Sequence, residues 1–199
     1  MGPRLAMKAH LIRVTALCAL LSACSNGSPI AGAMAGLSGN QGVDLNRVSR
    51  EKIEAFNTPI LRATFPSLGQ DLLLSLRDTN GGVETWEAAE GITLTFRDGV
   101  LIETRGLGAD LMSSSGPSGG QIAAGTGHER NYWYASDEDR NDRRTYACTT
   151  ATVGAETITL YGREHHTRHV TETCLREGGK ITNEYWFEGS RLRQSKQWV

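Results

Sequence analysis

The sequence predicts a mainly β protein: one antiparallel barrel-like or sandwich domain carrying a single short N-terminal helix. Three observations carry this. Short runs of β-branched and aromatic residues recur along the second half of the chain, many of them alternating polar and apolar positions as a half-buried strand requires. Glycine-centred turns separate them at Asn80-Gly81-Gly82, Asp98-Gly99, Glu177-Gly178-Gly179 and Glu188-Gly189-Ser190. A helical period is found in only one place, just before Pro59.

In chain order, the first 23 residues have another purpose. Met1 to Arg13 contains Arg4, Lys8 and Arg13 and no acid, and Val14 to Leu21 is apolar apart from Thr15. A positive leader, a short apolar run and a small-residue cleavage site make a secretory signal. The apolar run falls far below the ~20 residues that span a bilayer as a helix. The leader ends in Leu21-Ser22-Ala23-Cys24, which resembles the lipobox of bacterial lipoproteins, where the cysteine is acylated and becomes the mature N-terminus. Two or more acyl chains give stable anchoring, whereas one is marginal. The expected lipidation site is therefore Cys24, and the alternative is an ordinary secreted protein with a chance cysteine.

Cleavage before Cys24 leaves 176 of the 199 residues, and the formal charge moves from -1 to -4 because three basic residues leave with no acid. That length suffices for one domain with a substantial core. The mild acidity argues against a nucleic-acid partner, which would favour a basic excess. Residues 24 to 43, rich in Gly, Ser and Ala, read as a lipidated flexible tether with a typical reach of about 25 Å. The folded domain is expected over 44 to 199. Leu45, Val48, Ile53 and Phe56 fall near one helical face, and Asn57-Thr58-Pro59 stops the run.

The β elements follow. Ile92 to Phe96 alternates, Asp98-Gly99 turns the chain, and Val100 to Thr104 returns; Asp-Gly between β-rich runs is a strong hairpin signal. Thr157 to Leu160, Thr167 to Cys174, Ile181 to Phe187 and Leu192 to Trp198 form an expected meander. Glycine-rich 116 to 127 is expected to be a mobile surface loop. Of the four cysteines, Cys18 leaves with the leader and Cys24 takes lipid, so Cys148 and Cys174 remain. Two cysteines in an oxidising compartment usually pair. The alternative is two unpaired core thiols.

No enzyme signature emerges. Gly106-Leu107-Gly108 lacks the third glycine of a dinucleotide fingerprint, because position 111 is Leu111. On a strand His165 and His169 lie about 13 Å apart and His166 faces away, so the trio does not converge on one metal without a bend. Asp137, Asp139 and Asn141 echo a calcium loop, but Asp142 and Cys148 stand where Gly and Glu belong. A solvated charged connection fits better. Glu84, Glu87, Asp98, Glu103 and Asp110 are available carboxylates, yet spacing alone does not establish a glycosidase pair. No cofactor or metal is expected. In Tyr132-Trp133-Tyr134, Trp133 must face opposite its neighbours, so one side belongs to the core.

A longer pattern carries a resemblance. Val83-Glu84-Thr85-Trp86, Gly91-Ile92-Thr93-Leu94 and Arg97-Asp98-Gly99-Val100-Leu101 lead into Thr104-Arg105-Gly106-Leu107-Gly108-Ala109-Asp110-Leu111-Met112-Ser113. With Glu184-Tyr185-Trp186-Phe187 and Ser195-Lys196-Gln197-Trp198, this resembles the YjbF/GfcB family of outer-membrane lipoproteins, found with exopolysaccharide and group 4 capsule loci. The similarity runs from about residue 45 to 199. It implies a β-barrel-like domain and a role in polysaccharide export or assembly, with no catalytic residue to carry over. Ser25 after the lipidated cysteine, rather than Asp, favours the outer membrane, and the periplasmic face is expected. The expected function is thus a non-enzymatic accessory lipoprotein whose partners are the membrane, polysaccharide or outer-membrane export proteins. Trp86, Arg105, Asp110, Trp133 and Trp186 are the candidate binding residues. Two rivals remain: a periplasmic glycan-processing enzyme, marked by a buried carboxylate pair held protonated, and a brace for an envelope complex, marked by a large apolar patch.

Overall fold

A computed structural model describes Leu45 and residues 48–89, 91–135 and 141–199. The leader, Cys24 and the tether fall outside the described residues, as do Asp137 and Asp139. The domain consists of two curled antiparallel sheets, each a half-barrel. The first is a five-stranded meander of β1 (Ile60–Phe65), β2 (Gln70–Asn80), β3 (Val83–Ala88), β4 (Thr93–Arg97) and β5 (Val100–Arg105). The second is a six-stranded meander of β6 (Leu111–Ser115), β7 (His128–Ala135), β8 (Asn141–Leu160), β9 (Arg163–Arg176), β10 (Gly179–Glu188) and β11 (Arg191–Lys196). The chain crosses from one sheet to the other once, through residues 106 to 110.

The turns follow the sequence logic. Asp98 and Gly99 both take positive φ, 49° and 78°, as the two-residue hairpin loop between β4 and β5 demands. The β8–β9 hairpin uses Tyr161 (φ 48°) with Gly162 (φ 75°). A bulky residue with positive φ is an outlier. Tertiary packing holds it, because the Tyr161 ring lies against a cluster of Leu45, Val48 and Leu73. These buried residues hold the tip of the long hairpin onto the first sheet, joined by Arg50 Nη2 donating to the Leu160 carbonyl at 3.2 Å.

Two expectations need correction. Helix α1 runs Arg50–Ala55, shorter than the helical period of 45 to 56 suggested. Ser49 caps it from extended backbone at φ -75° and ψ 158°, its hydroxyl accepting from Lys52 N. Leu45 and Val48, 2% and 6% exposed, reach the same apolar cluster from ahead of the helix. The glycine-rich stretch 116 to 127 is not a mobile loop. It contains a second helix, α2 (Gly119–Ala124), closed by a reciprocal Ser118–Gln121 capping box and by Gly125 at φ 81°. Ile122 is fully buried among Val100, Val170, Tyr185 and Phe187, and Arg168 Nη1 donates to the Ala123 carbonyl at 2.9 Å. The glycines serve close approach rather than mobility. A Cβ on Gly119 would sit 2.3 Å from the Asp98 carbonyl oxygen.

Between the sheets Leu72, Leu74, Leu94 and Leu101 meet Tyr132, Tyr146, Cys148, Cys174 and Ile181. Each such aliphatic side chain contributes about 1.5–3 kcal/mol when fully buried. Cys148 and Cys174, directly opposed on β8 and β9, form the expected disulfide.

Candidate functional site

The signature stretch from Thr104 to Leu111 is the corner between the half-barrels, and its polar residues hold that corner shut. Asp110 accepts from Gly106 N (2.9 Å), Leu107 N (3.1 Å) and the Thr104 hydroxyl (3.0 Å). The same Thr104 oxygen, fully buried, accepts from Leu111 N at 2.9 Å. An Asp satisfying successive backbone N–H groups is the usual way a short polar side chain stabilises a tight turn. Arg105 braces the outside: Nη1 donates to the Thr104 and Leu111 carbonyls at 2.8 and 3.3 Å, and Nη2 pairs with Glu103 at 2.6 Å. The acid that Arg105 engages is therefore Glu103, while Asp110 is occupied with the turn.

This corner forms one wall of a groove of about 400 Å³, lined by Gly108, Ala109, Asp110, Met112, Tyr134, Arg144 and Trp198, with Val199 at its end. Trp198 meets Tyr134 edge to face, centroids 6.0 Å apart and planes at 83°, a favoured aromatic geometry. The Arg144 guanidinium stands 4.7 Å from the Tyr134 ring centroid, within cation–π range. It also pairs with Asp142 at 2.8 Å. The Tyr134 hydroxyl is buried and has no hydrogen-bond partner among the described residues. Burial first, then neighbouring Tyr132, pushes its pKa well up, so it stays a protonated donor at neutral pH. Two aromatic rings and a guanidinium at one surface, with the buried Tyr134 hydroxyl beneath them, match what a sugar offers: apolar ring faces and, in acidic polymers, carboxylates.

Behind the groove lies a buried polar hub. Glu172 on β9 and Arg130 on β7 are 0% and 1% exposed, with Arg130 Nε donating to Glu172 Oε1 at 2.7 Å. Asn183 Nδ2 and the Tyr185 hydroxyl donate to Glu172 Oε2 at 2.6 and 3.1 Å, and His128 Nε2 lies 2.5 Å from Oε1. Burial alone would raise the Glu172 carboxyl. The Arg130 charge and the hydrogen bonds outweigh it and hold it below the usual range. Asn183 in turn accepts from Trp198 N at 2.7 Å, so the hub positions the groove's main aromatic.

The other sequence candidates lie elsewhere. Trp86 packs partly buried against the main core and donates to Glu84 at 3.3 Å. Trp133 points away from Tyr132 and Tyr134, under Arg143 at 5.6 Å. Trp186 stacks on His169 at 4.4 Å and donates to Glu156 at 2.8 Å. His165 faces Glu188 and His166 faces Thr157, so the three histidines serve separate partners. Glu87 pairs with Arg77 and Glu103 with Arg105, while Glu172 and Glu188 are shifted down in pKa, opposite to a protonated glycosidase acid. Of the five binding candidates, Asp110 lines the groove, Arg105 braces the corner behind it, and the three tryptophans lie apart. The sequence reading missed Arg144, set aside within a charged connection, and the Arg130–Glu172 hub. A signal for the hub was present: Val170, Glu172 and Cys174 share one strand face, which places a carboxylate in a core row.

Comparison with known proteins agrees with this architecture. The crystal structure of the hypothetical lipoprotein YmcC from Escherichia coli (K12) superposes with a TM-score of 0.71 at 21% identity, covering 87% of this chain and 90% of its own. At that identity the likeness establishes the fold. No curated protein matches the sequence significantly. The family model for "Group 4 capsule polysaccharide lipoprotein gfcB, YjbF" matches residues 35–199, a span that includes the Thr104–Asp110 corner, the groove and the hub. On the strength of that match, the chain belongs to the YjbF/GfcB family of group 4 capsule polysaccharide lipoproteins.

Proposed function

We propose that this lipoprotein is a non-enzymatic accessory factor in capsule or exopolysaccharide export, and that it engages the polymer at the Trp198–Tyr134–Arg144 groove. The observation that carries the reading is the groove itself: two aromatic rings and a cation, set at the corner of the Thr104–Leu111 block. Sugar faces stack on aromatics, and a guanidinium suits acidic residues of a polymer. Among the described residues, the large exposed apolar side chains, Leu68, Met112, Val153 and Leu175, sit on four separate segments, which favours this reading over a bracing surface. Residues 1 to 23 act as signal peptide, Cys24 carries the lipid, 24 to 43 tether the domain, and the anchor holds it to the periplasmic face of the outer membrane.

Three experiments test this. Mature-protein mass spectrometry should find an acylated N-terminal Cys24, and Cys24→Ala should leave an uncleaved precursor. Deletion of the gene should reduce surface or secreted polymer while glycosyltransferase activity persists. Arg144→Ala, whose ion pair with Asp142 is partly exposed, should weaken binding of the purified polymer with little change in thermal stability. Normal polymer output from the deletion strain, under conditions where the gene is expressed, overturns the assignment.

A further inference from the structure

The most unusual chemistry outside the groove lies where the disulfide meets the hub. His128 on β7 pairs in register with Cys148 on β8, which pairs with Cys174 on β9. The three side chains therefore share one row across the interior of the second sheet, with Glu172 one position along on the same strand face. His128 Nε2, Cys148 Sγ and a Glu172 oxygen all lie within 4.8 Å of one another, and Cys174 Sγ is bonded to Cys148 Sγ. In the bridged protein neither sulfur is available as a thiolate ligand.

We propose that reducing the Cys148–Cys174 bridge converts this cluster into a zinc site with the ligand set Cys148, Cys174, His128 and Glu172. Two thiolates, an imidazole and a carboxylate are chemically suited to tetrahedral Zn²⁺. Bonds of 2.0–2.3 Å imply ligand atoms roughly 3.3–3.8 Å apart. The present cluster brackets that spacing and reaches it by side-chain rotation as the sulfurs separate.

The surroundings of the four groups are already those of a metal site. His128 Nδ1 lies 3.0 Å from the Thr126 carbonyl. A carbonyl only accepts, so Nδ1 donates there and Nε2 is the nitrogen turned toward the cluster, where it shares a proton with Glu172 Oε1 at 2.5 Å that the metal displaces. Metal-bound histidines are oriented in this way. Glu172 is held by Arg130, Asn183 and the Tyr185 hydroxyl, as ligating carboxylates are. Charge also balances: two thiolates and Glu172 against Zn²⁺ and the buried Arg130 sum to zero, so no net charge is left in the interior. The His128 side chain, 11% exposed, is the way in.

The redox step consumes a dithiol, which gives two electrons and two protons to the bridge and becomes a disulfide itself. The S–S bond breaks and two thiols form. Zinc then displaces the two thiol protons and the one shared by His128 and Glu172. Disulfide and metal are thus alternative staples of the same strand pair, the metal serving a chain whose cysteines are still reduced.

The test uses the full lipoprotein purified in detergent, with Co²⁺ as spectroscopic probe and Zn²⁺ as competitor. After reduction with a phosphine, one Co²⁺ per chain should bind with a thiolate-to-cobalt charge-transfer band, and Zn²⁺ should abolish the band. The bridged protein should show no such band. His128→Gln, at the rim of the cluster, should weaken binding at least tenfold without loss of the folded state, and Cys174→Ser should weaken both binding and band. The proposal is overturned if the reduced, folded protein gives no band, if His128→Gln leaves affinity unchanged, or if metal binds equally before and after reduction, as a site elsewhere on the chain would allow.

Discussion

Replacing Arg130 with methionine tests the energetics of the hub most directly. Met fills most of the volume but removes the guanidinium that donates to Glu172 Oε1 at 2.7 Å and to the Tyr185 hydroxyl at 2.9 Å. Glu172, 0% exposed, is left as a buried carboxylate without its main counter-charge. Breaking a buried pair in this way costs about 3–5 kcal/mol. For a domain of this size that corresponds to a fall in Tm of about 6–20 °C. The pH dependence carries the sharper test. In the native protein the Glu172 carboxyl is held low, so its contribution is complete above the unfolded carboxylate range of ~4.3 and is lost as pH falls through the depressed folded value. Without Arg130, burial dominates and the folded carboxyl rises. Protonation then relieves the penalty, so Arg130→Met should be more damaging at pH 7 than at pH 4.5. Urea denaturation followed by tryptophan fluorescence at the two pH values measures this. Adding Glu172→Gln to Arg130→Met should recover much of the loss, because replacing both members of a buried pair is often close to neutral. A penalty below about 1 kcal/mol at pH 7, or one equal at both pH values, refutes the reasoning.

Four further outcomes follow from the geometry. Asp110→Ala removes three hydrogen bonds at the sheet-to-sheet corner and should cost about 2–4 kcal/mol in denaturant titration. Arg105→Ala, whose ion pair with Glu103 is about 40% exposed, should cost about 1 kcal/mol or less; equal losses would contradict the roles assigned here, and lost polymer output at unchanged Tm would make Arg105 a contact residue. Gly119→Ala drives a methyl into the Asp98 carbonyl and should destabilise by about 1–3 kcal/mol, whereas a mobile loop would tolerate it. Reducing the bridge, which closes a separation of 26 residues, should lower metal-free stability by about 3–4 kcal/mol, and free thiols in denatured, unreduced protein would refute the pairing.

What was legible in the sequence is local. The Asp98-Gly99 hairpin needs positive φ at two adjacent residues, which few residue pairs supply, so it declared itself. Period-2 alternation marked the meander, and the expected export signal would leave two cysteines to pair, the two that the structure joins. The family resemblance rested on an unbroken block, Thr104 to Ser113, whose corner the structure explains through Asp110 and Thr104. Tertiary contacts decided the rest. Glycine composition reads as flexibility, yet at Gly119 it permits a close contact that only the β4–β5 turn reveals. Tyr161 is no turn residue by propensity; Leu45, Val48 and Leu73, far away in sequence, hold it there. The groove gathers Gly108, Tyr134, Arg144 and Trp198 from four segments, and the hub joins His128, Arg130, Glu172, Asn183 and Tyr185 across β7, β9 and β10. Strand periodicity says which face a side chain takes, but not which strands become neighbours or how far a sheet curls. Those depend on the packing of the two half-barrels, and with them the groove and the hub came into being.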